Sequence, residues 1–163
     1  MAVANTKSAG ITNADATQPT VAGLPWLQKA GVFNAVGTVE VLAADDDGSV
    51  YRFARIPSSA RIQSVKLMSD AITGGTVFDV GLYNVSSVSS GAVVDADFFV
   101  ANVDLSLGNT VPVDVTFGNI LDISKIEQRV WELLGLTADP FKQYDVCVTG
   151  DTVGTAAGTI SLS

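Results

Sequence analysis

The sequence has no histidine, one cysteine and few charges. Without histidine there is no Ser-His-Asp relay, no imidazole general base and no imidazole ligand for zinc. The lone Cys147 allows no intrachain disulfide. Its place in an apolar alternating run suits a buried structural thiol better than a reactive one. No apolar run approaches the roughly 18 residues of a membrane-spanning helix. The first residues lack the basic-then-apolar order of a secretory signal. The expectation from these features is a soluble chain made in the cytoplasm. Charged residues make up 16% of the 163 positions, against about 25% in an ordinary domain. A chain short of solvating groups often covers part of its surface with a partner.

What charge there is lies unevenly. The first 35 residues hold Lys7, Lys29 and Asp15, a net of +1, and the rest carries seven bases and sixteen acids, a net of −9, giving −8 in all. An acidic body repels phosphate backbones and anionic lipid, so neither nucleic acid nor a membrane surface is an expected partner.

Residues 1–35 read as an extended N-terminal arm. Thr, Asn, Ala, Gly and Pro dominate it, with no helical or strand period. It ends in the apolar cluster Leu24, Pro25, Trp26 and Leu27. Left bare, that cluster is an exposed liability; laid on another subunit, it is an anchor, and tryptophan is the residue type that dominates interface energy. The expected partner-binding residues of the arm are Ile11, Pro19, Val21, Leu24, Pro25, Trp26 and Leu27.

From residue 36 the texture becomes β-like, and 36–163 is expected to form one domain. Strands are predicted at 36–43, 49–56, 61–69, 76–84, 110–117, 143–150 and 157–163. The turn Asp45-Asp46-Asp47-Gly48 and the stretch 151–154 look like hairpin connections. Residues 94–105 are ambiguous, because Asp95 or Asp97 could cap a short helix carrying Phe98 and Phe99. Pro112 suits an edge strand. One amphipathic helix is predicted at about 122–134. Ser124 and Glu127 have capping-box spacing, and Gly135 stands where a C-terminal glycine belongs. Ile123, Ile126, Val130, Trp131 and Leu134 would form its core-facing stripe. About seven short strands with regular turns imply a mainly β fold, a jelly-roll-like β-sandwich whose long gaps suit crossovers better than a meander.

Few residues suggest chemistry. Asp45, Asp46 and Asp47 are weak candidates for a metal, since calcium takes clustered carboxylates, but three consecutive acids do not match an EF-hand loop and a solvated turn is the plainer reading. No carboxylate pair stands beside an aromatic platform, so glycoside hydrolysis has no visible site. "ITGGT" (72–76) lacks the phosphate-loop pattern. Strict alternation would put Arg52 and Arg55 on opposite faces of their strand, where they would pair with acids rather than bind phosphate. No enzyme activity and no cofactor is expected.

Two stretches carry a resemblance: "VGTVEVLAADDDGSVYRFARIPSSARIQSVKLMSDAITGGTVFDVGLYN" (36–84) and "RVWELLGLTADPFKQYDVCVTGDTVGTAAGTISL" (129–162). With "RIPSSARI" (55–62) and "DVGLYN" (79–84) as their marks, they resemble small virion structural proteins of tailed bacteriophages, of the capsid decoration or cement type. The resemblance spans about half the chain and brings no catalytic motif. It implies a role in the virion without fixing head rather than tail; the decoration reading expects a protein of the capsid exterior, made in the host cytoplasm, that binds the major capsid protein and stabilises contacts between its subunits. A homodimer or homotrimer at a local symmetry axis would suit such a lattice. The alternative is a tail or fibre protein whose sandwich binds a host glycan, with Tyr83 and Asn84 as a faint contact site.

Overall fold

A computed structural model describes residues 3–8, 11–12, 15–16, 32, 34–86 and 91–163. Nine strands are described: β1 (Asn5–Lys7), β2 (Gly37–Val41), β3 (Ser49–Pro57), β4 (Lys66–Ser69), β5 (Val77–Asn84), β6 (Val93–Val103), β7 (Asn109–Asp114), β8 (Gln143–Thr152) and β9 (Gly158–Leu162). They form a five-stranded sheet in the order β1-β3-β8-β5-β6 and a four-stranded sheet in the order β2-β9-β4-β7.

Setting β1 aside, consecutive strands change sheet at every step except the β5–β6 hairpin. All their pairings are antiparallel. This is jelly-roll connectivity, eight strands folded as two facing sheets. Alternation within strands sets the core. Val39, Val41, Leu67, Ile160 and Leu162 from the smaller sheet meet Tyr51, Phe53, Phe78, Val80, Val146 and Val148 from the larger. β7 is an edge strand, where Pro112 costs no ladder bond on its free side.

The sandwich changes several local expectations. The turns at 45–48 and 151–154 are not hairpins: each carries the chain from one sheet to the other. They lie side by side, with Gly48 N donating to Gly150 O at 2.8 Å and Val153 N to an Asp47 carboxylate oxygen at 3.1 Å. Local turn chemistry is the same for both connections, so composition could not separate them. Residues 93–103 are strand, not a capped helix. Between Val80↔Val100 and Leu82↔Asp95, β5 advances two residues while β6 advances five. The excess forms a wide bulge that buries the consecutive Phe98 and Phe99, packed edge to face at 4.9 Å. Gly81 lies under this bulge, and a Cβ there would collide with the backbone oxygens of Asp95 and Ala96.

The single helix predicted at 122–134 is instead two pieces. A 3-10 turn spans Ile123–Lys125, capped by the Asp122 carboxylate, which accepts from Ser124 N at 2.8 Å. α1 spans only Val130–Leu133, and the Glu132 carboxylate accepts from Arg129 N at 2.6 Å. That is the Glu half of a capping box, at 129–132 rather than at Ser124 and Glu127, since the Arg129 side chain cannot accept the reciprocal bond. Val130 and Leu133 are buried, and Leu134 packs on the core. Trp131 is half-buried, while Ile123 is 85% exposed and Ile126 is exposed. Leu121, which lies outside the predicted stripe, is buried instead. Between the two pieces the chain tracks the 58–61 turn rather than its own helix axis: Val130 N donates to Ala60 O at 2.9 Å, Trp131 N donates to Ser58 O at 3.1 Å, and Arg61 and Arg129 form an isolated bridge.

Candidate functional site

The centre of the larger sheet is buried on both faces. Val146 and Val148 of β8 face the core, so Asp145, Cys147 and Thr149 point outward, yet all three are buried. Among the described residues, cover comes from the N-terminal segment and from Ser86 and Gly91 after β5.

The N-terminal segment starts as a second strand partner for β3, on the edge away from β8. β1 pairs parallel to β3 with Asn5↔Val50, Thr6↔Tyr51 and Lys7↔Arg52. Val50 N donates to Ala4 O at 2.8 Å, and Ser8 N donates to Arg52 O at 2.6 Å. The Ser8 hydroxyl continues the docking by donating to Phe53 O at 2.7 Å. A helical turn follows, with Thr12 N donating to Ser8 O at 2.9 Å. It seats Ile11, which is 2% exposed.

Asp15 closes the segment down. One carboxylate oxygen accepts from Arg55 Nη2 at 2.7 Å; the other accepts from Lys7 Nζ at 2.8 Å and from the Ser86 hydroxyl at 3.0 Å. Arg55 also grips Asp145, through Nε at 2.7 Å and Nη2 at 3.2 Å. Arg52 reaches the same carboxylate with Nη1 at 3.2 Å. Its remaining donors go to Asn5 Oδ1 at 3.0 Å, Asn84 O at 3.1 Å and Gly91 O at 2.8 Å. The guanidinium stacks 5.5 Å from the Tyr83 ring centre. Gly91 sits at φ +68° against Arg52, where a Cβ would strike the guanidinium.

Arg52 and Arg55 therefore share a face, contrary to strict alternation. The register slips between Arg52 and Ala54, so Phe53 is an extra residue and the bulge rotates Arg55 back beside Arg52. The pairing with acids does occur, with Asp15 and Asp145 as the partners. Burial by itself would raise the Asp15 carboxyl, but hydrogen bonds from Lys7, Arg55 and Ser86 outweigh it and hold it at about 2. Burial likewise opposes the charge on Arg55, and its bonds to Asp145 and Asp15 still raise its pKa. The Cys147 thiol is pushed up by burial, which suits a structural rather than reactive role.

The predicted arm residues thus divide. Ile11 is seated on its own chain, and the described residues between 3 and 16 lie on the body rather than apart from it. Pro19, Val21, Leu24, Pro25, Trp26 and Leu27 lie outside the described residues. The metal candidates turn to separate tasks. Asp45 is buried and accepts from Leu42 N and the Tyr51 hydroxyl, both at 2.9 Å. Burial and then that carboxylate push the Tyr51 phenol up. Asp46 accepts from Asp47 N, and Asp47 from Val153 N. No metal-holding cluster of acids or cysteine occurs among the described residues. Tyr83 is buried with its hydroxyl on Thr149 at 2.6 Å, so it offers no sugar platform.

Two surface features remain. Leu107 is 92% exposed, Val111 on the β7 edge 74%, and Phe141 93%. A cleft of about 730 Å³ opens at one end of the sandwich, with Ile56, Val65, Phe99 and Leu162 in its apolar wall and Arg61 and Lys66 among its polar residues.

No family model and no curated protein matches the sequence. Among solved structures, a chain described as "Capsid of Ralstonia phage GP4" is similar, with 14% identity, 83% of this chain and 89% of that chain covered, and a TM-score of 0.49.

Proposed function

We propose that this chain is a virion structural protein of a tailed bacteriophage that decorates the outside of the head and binds across joints between major capsid protein subunits. The carrying observation is exposed apolar surface on a fold whose core is already complete. Large side chains such as Leu107, Ile123 and Phe141 stand in solvent on a chain with only 16% charged residues. Such surface suits permanent contact with other chains. The resemblance at 36–84 and 129–162 supports the same reading. Leu24, Pro25, Trp26 and Leu27 are the assigned capsid-contacting cluster.

The action is mechanical. A filled head strains the joints between its subunits. A protein that binds only the assembled shell stabilises that state by linkage. Many modest sites on one lattice act together through avidity.

The test is quantitation in purified particles, followed by add-back to heads lacking the protein. A shell component is present in hundreds of copies, and adding it raises the temperature at which heads release DNA. A handful of copies located at the tail would overturn this reading in favour of the tail or fibre alternative.

A further inference from the structure

We infer that the docked N-terminal segment is exchanged between copies: Asn5–Lys7, Ser8, Ile11 and Asp15 of one chain occupy the β3 edge and outer sheet face of a neighbouring copy. The inference rests on the shell role proposed above, because a shell is what brings copies close together.

The receptor is self-contained. It consists of the β3 backbone, Arg52, Arg55 and Ser86, and every neighbouring copy presents the same set. The ladder is parallel and three residues long. Parallel neighbours are never joined by a tight turn, so no local connection ties β1 to its own β3. Exchange breaks no hairpin.

The connection is also long. Residues 17–33 separate the docked segment from the stretch leading into β2. Fully extended, they reach about 60 Å. A domain of this size is about 40 Å across, and its two sheets lie about 10 Å apart. A short return would join Asp15 to the facing sheet; this one can reach an adjacent molecule.

Contacts in trans are the same as contacts in cis, which makes exchange a low-cost route to association. Only effective concentration decides between them. A tether of this kind presents the segment to its own receptor at about millimolar. Dilute chains therefore close on themselves. Copies crowded on a lattice meet or exceed that concentration and exchange.

The experiment uses the wild-type chain. Chains labelled with 15N and chains labelled with 13C are refolded together, and isotope-filtered NMR reads cross-strand contacts at Asn5–Val50 and Lys7–Arg52. Cross-peaks between differently labelled chains, rising with concentration up to about millimolar, are the expected result. Contacts confined to one label at every concentration would overturn the inference. A second measurement oxidises an equimolar mixture of Asn5→Cys and Val50→Cys chains. An interchain disulfide supports exchange; its absence, when the double variant closes within one chain, opposes it. The shell role fails separately: exchange without head binding would remove the role and leave the exchange, and head binding with only intrachain contacts would do the reverse.

Discussion

Replacing Asp15 by asparagine removes a charge that Lys7, Arg55 and Ser86 all hold. The carboxyl stands at about 2 against an ordinary 3.8. At about 1.4 kcal/mol for each pH unit, the ionised form stabilises the docked segment by about 2 kcal/mol relative to a neutral one. Asparagine keeps the shape and loses the charge, so it stands in for the protonated acid. The direction follows from the lowered pKa. The contribution is complete above about pH 4 and is lost as pH falls through about 2. Local opening should report it first. Ser8 N and Val50 N both bond across the β1–β3 junction, and near neutral pH their hydrogen exchange should quicken about 30-fold in Asp15→Asn. Lys66 N and Ser163 N, which bond to each other's residues in the other sheet, should not change. Urea unfolding adds the pH axis: any advantage of wild type over the variant should vanish between pH 4 and pH 2. Exchange at Ser8 within two-fold of wild type would show that Asp15 does not hold the segment.

Asp145→Ala leaves Arg52 and Arg55 buried without their shared counter-ion, and urea unfolding should show a loss of about 3–5 kcal/mol; a loss under 1 kcal/mol would mean that water reaches the guanidinium groups. Gly91→Ala forces a side chain into a left-handed backbone against Arg52. It should destabilise by about 1–3 kcal/mol in the same assay, and a neutral result would mean that Gly91 does not sit against Arg52. Trp131 has a buried indole N–H with no hydrogen-bond partner among the described residues, so Trp131→Phe should lie within about 1.5 kcal/mol of wild type by thermal unfolding. A larger loss would reveal that the indole N–H donates a hydrogen bond.

The sandwich was legible because half-buried strands advertise themselves. Tyr51 and Phe53, Phe78, Val80 and Leu82, and Val146 and Val148 each recur at the strand period, and each set lands in the core. Pro112 at the sheet edge follows from its missing N–H. The failures have a common cause. Phe98 and Phe99 break strict alternation, as does the spacing of Arg52 and Arg55, and both departures come from bulges whose position depends on the partner strand. The helical spacing of Ile123, Ile126, Val130 and Leu134 is real in the sequence. Pairing between 58–61 and 129–131 overrides it. β1 was hidden because a three-residue parallel edge strand needs no pattern of its own; its ladder is backbone bonding.

By itself, then, the sequence determined the β architecture, a scarcity of charge and the exclusion of histidine chemistry. These are properties of composition and of short-range period, which act before the chain has folded. The tertiary structure alone decided that Asp15 and Asp145 meet Arg52 and Arg55, and that the N-terminal segment covers the outer face of the larger sheet. Those contacts join residues 40 to 93 positions apart. No local preference encodes such a meeting, because it exists only once two sheets have set the register and a bulge has turned one arginine toward the other.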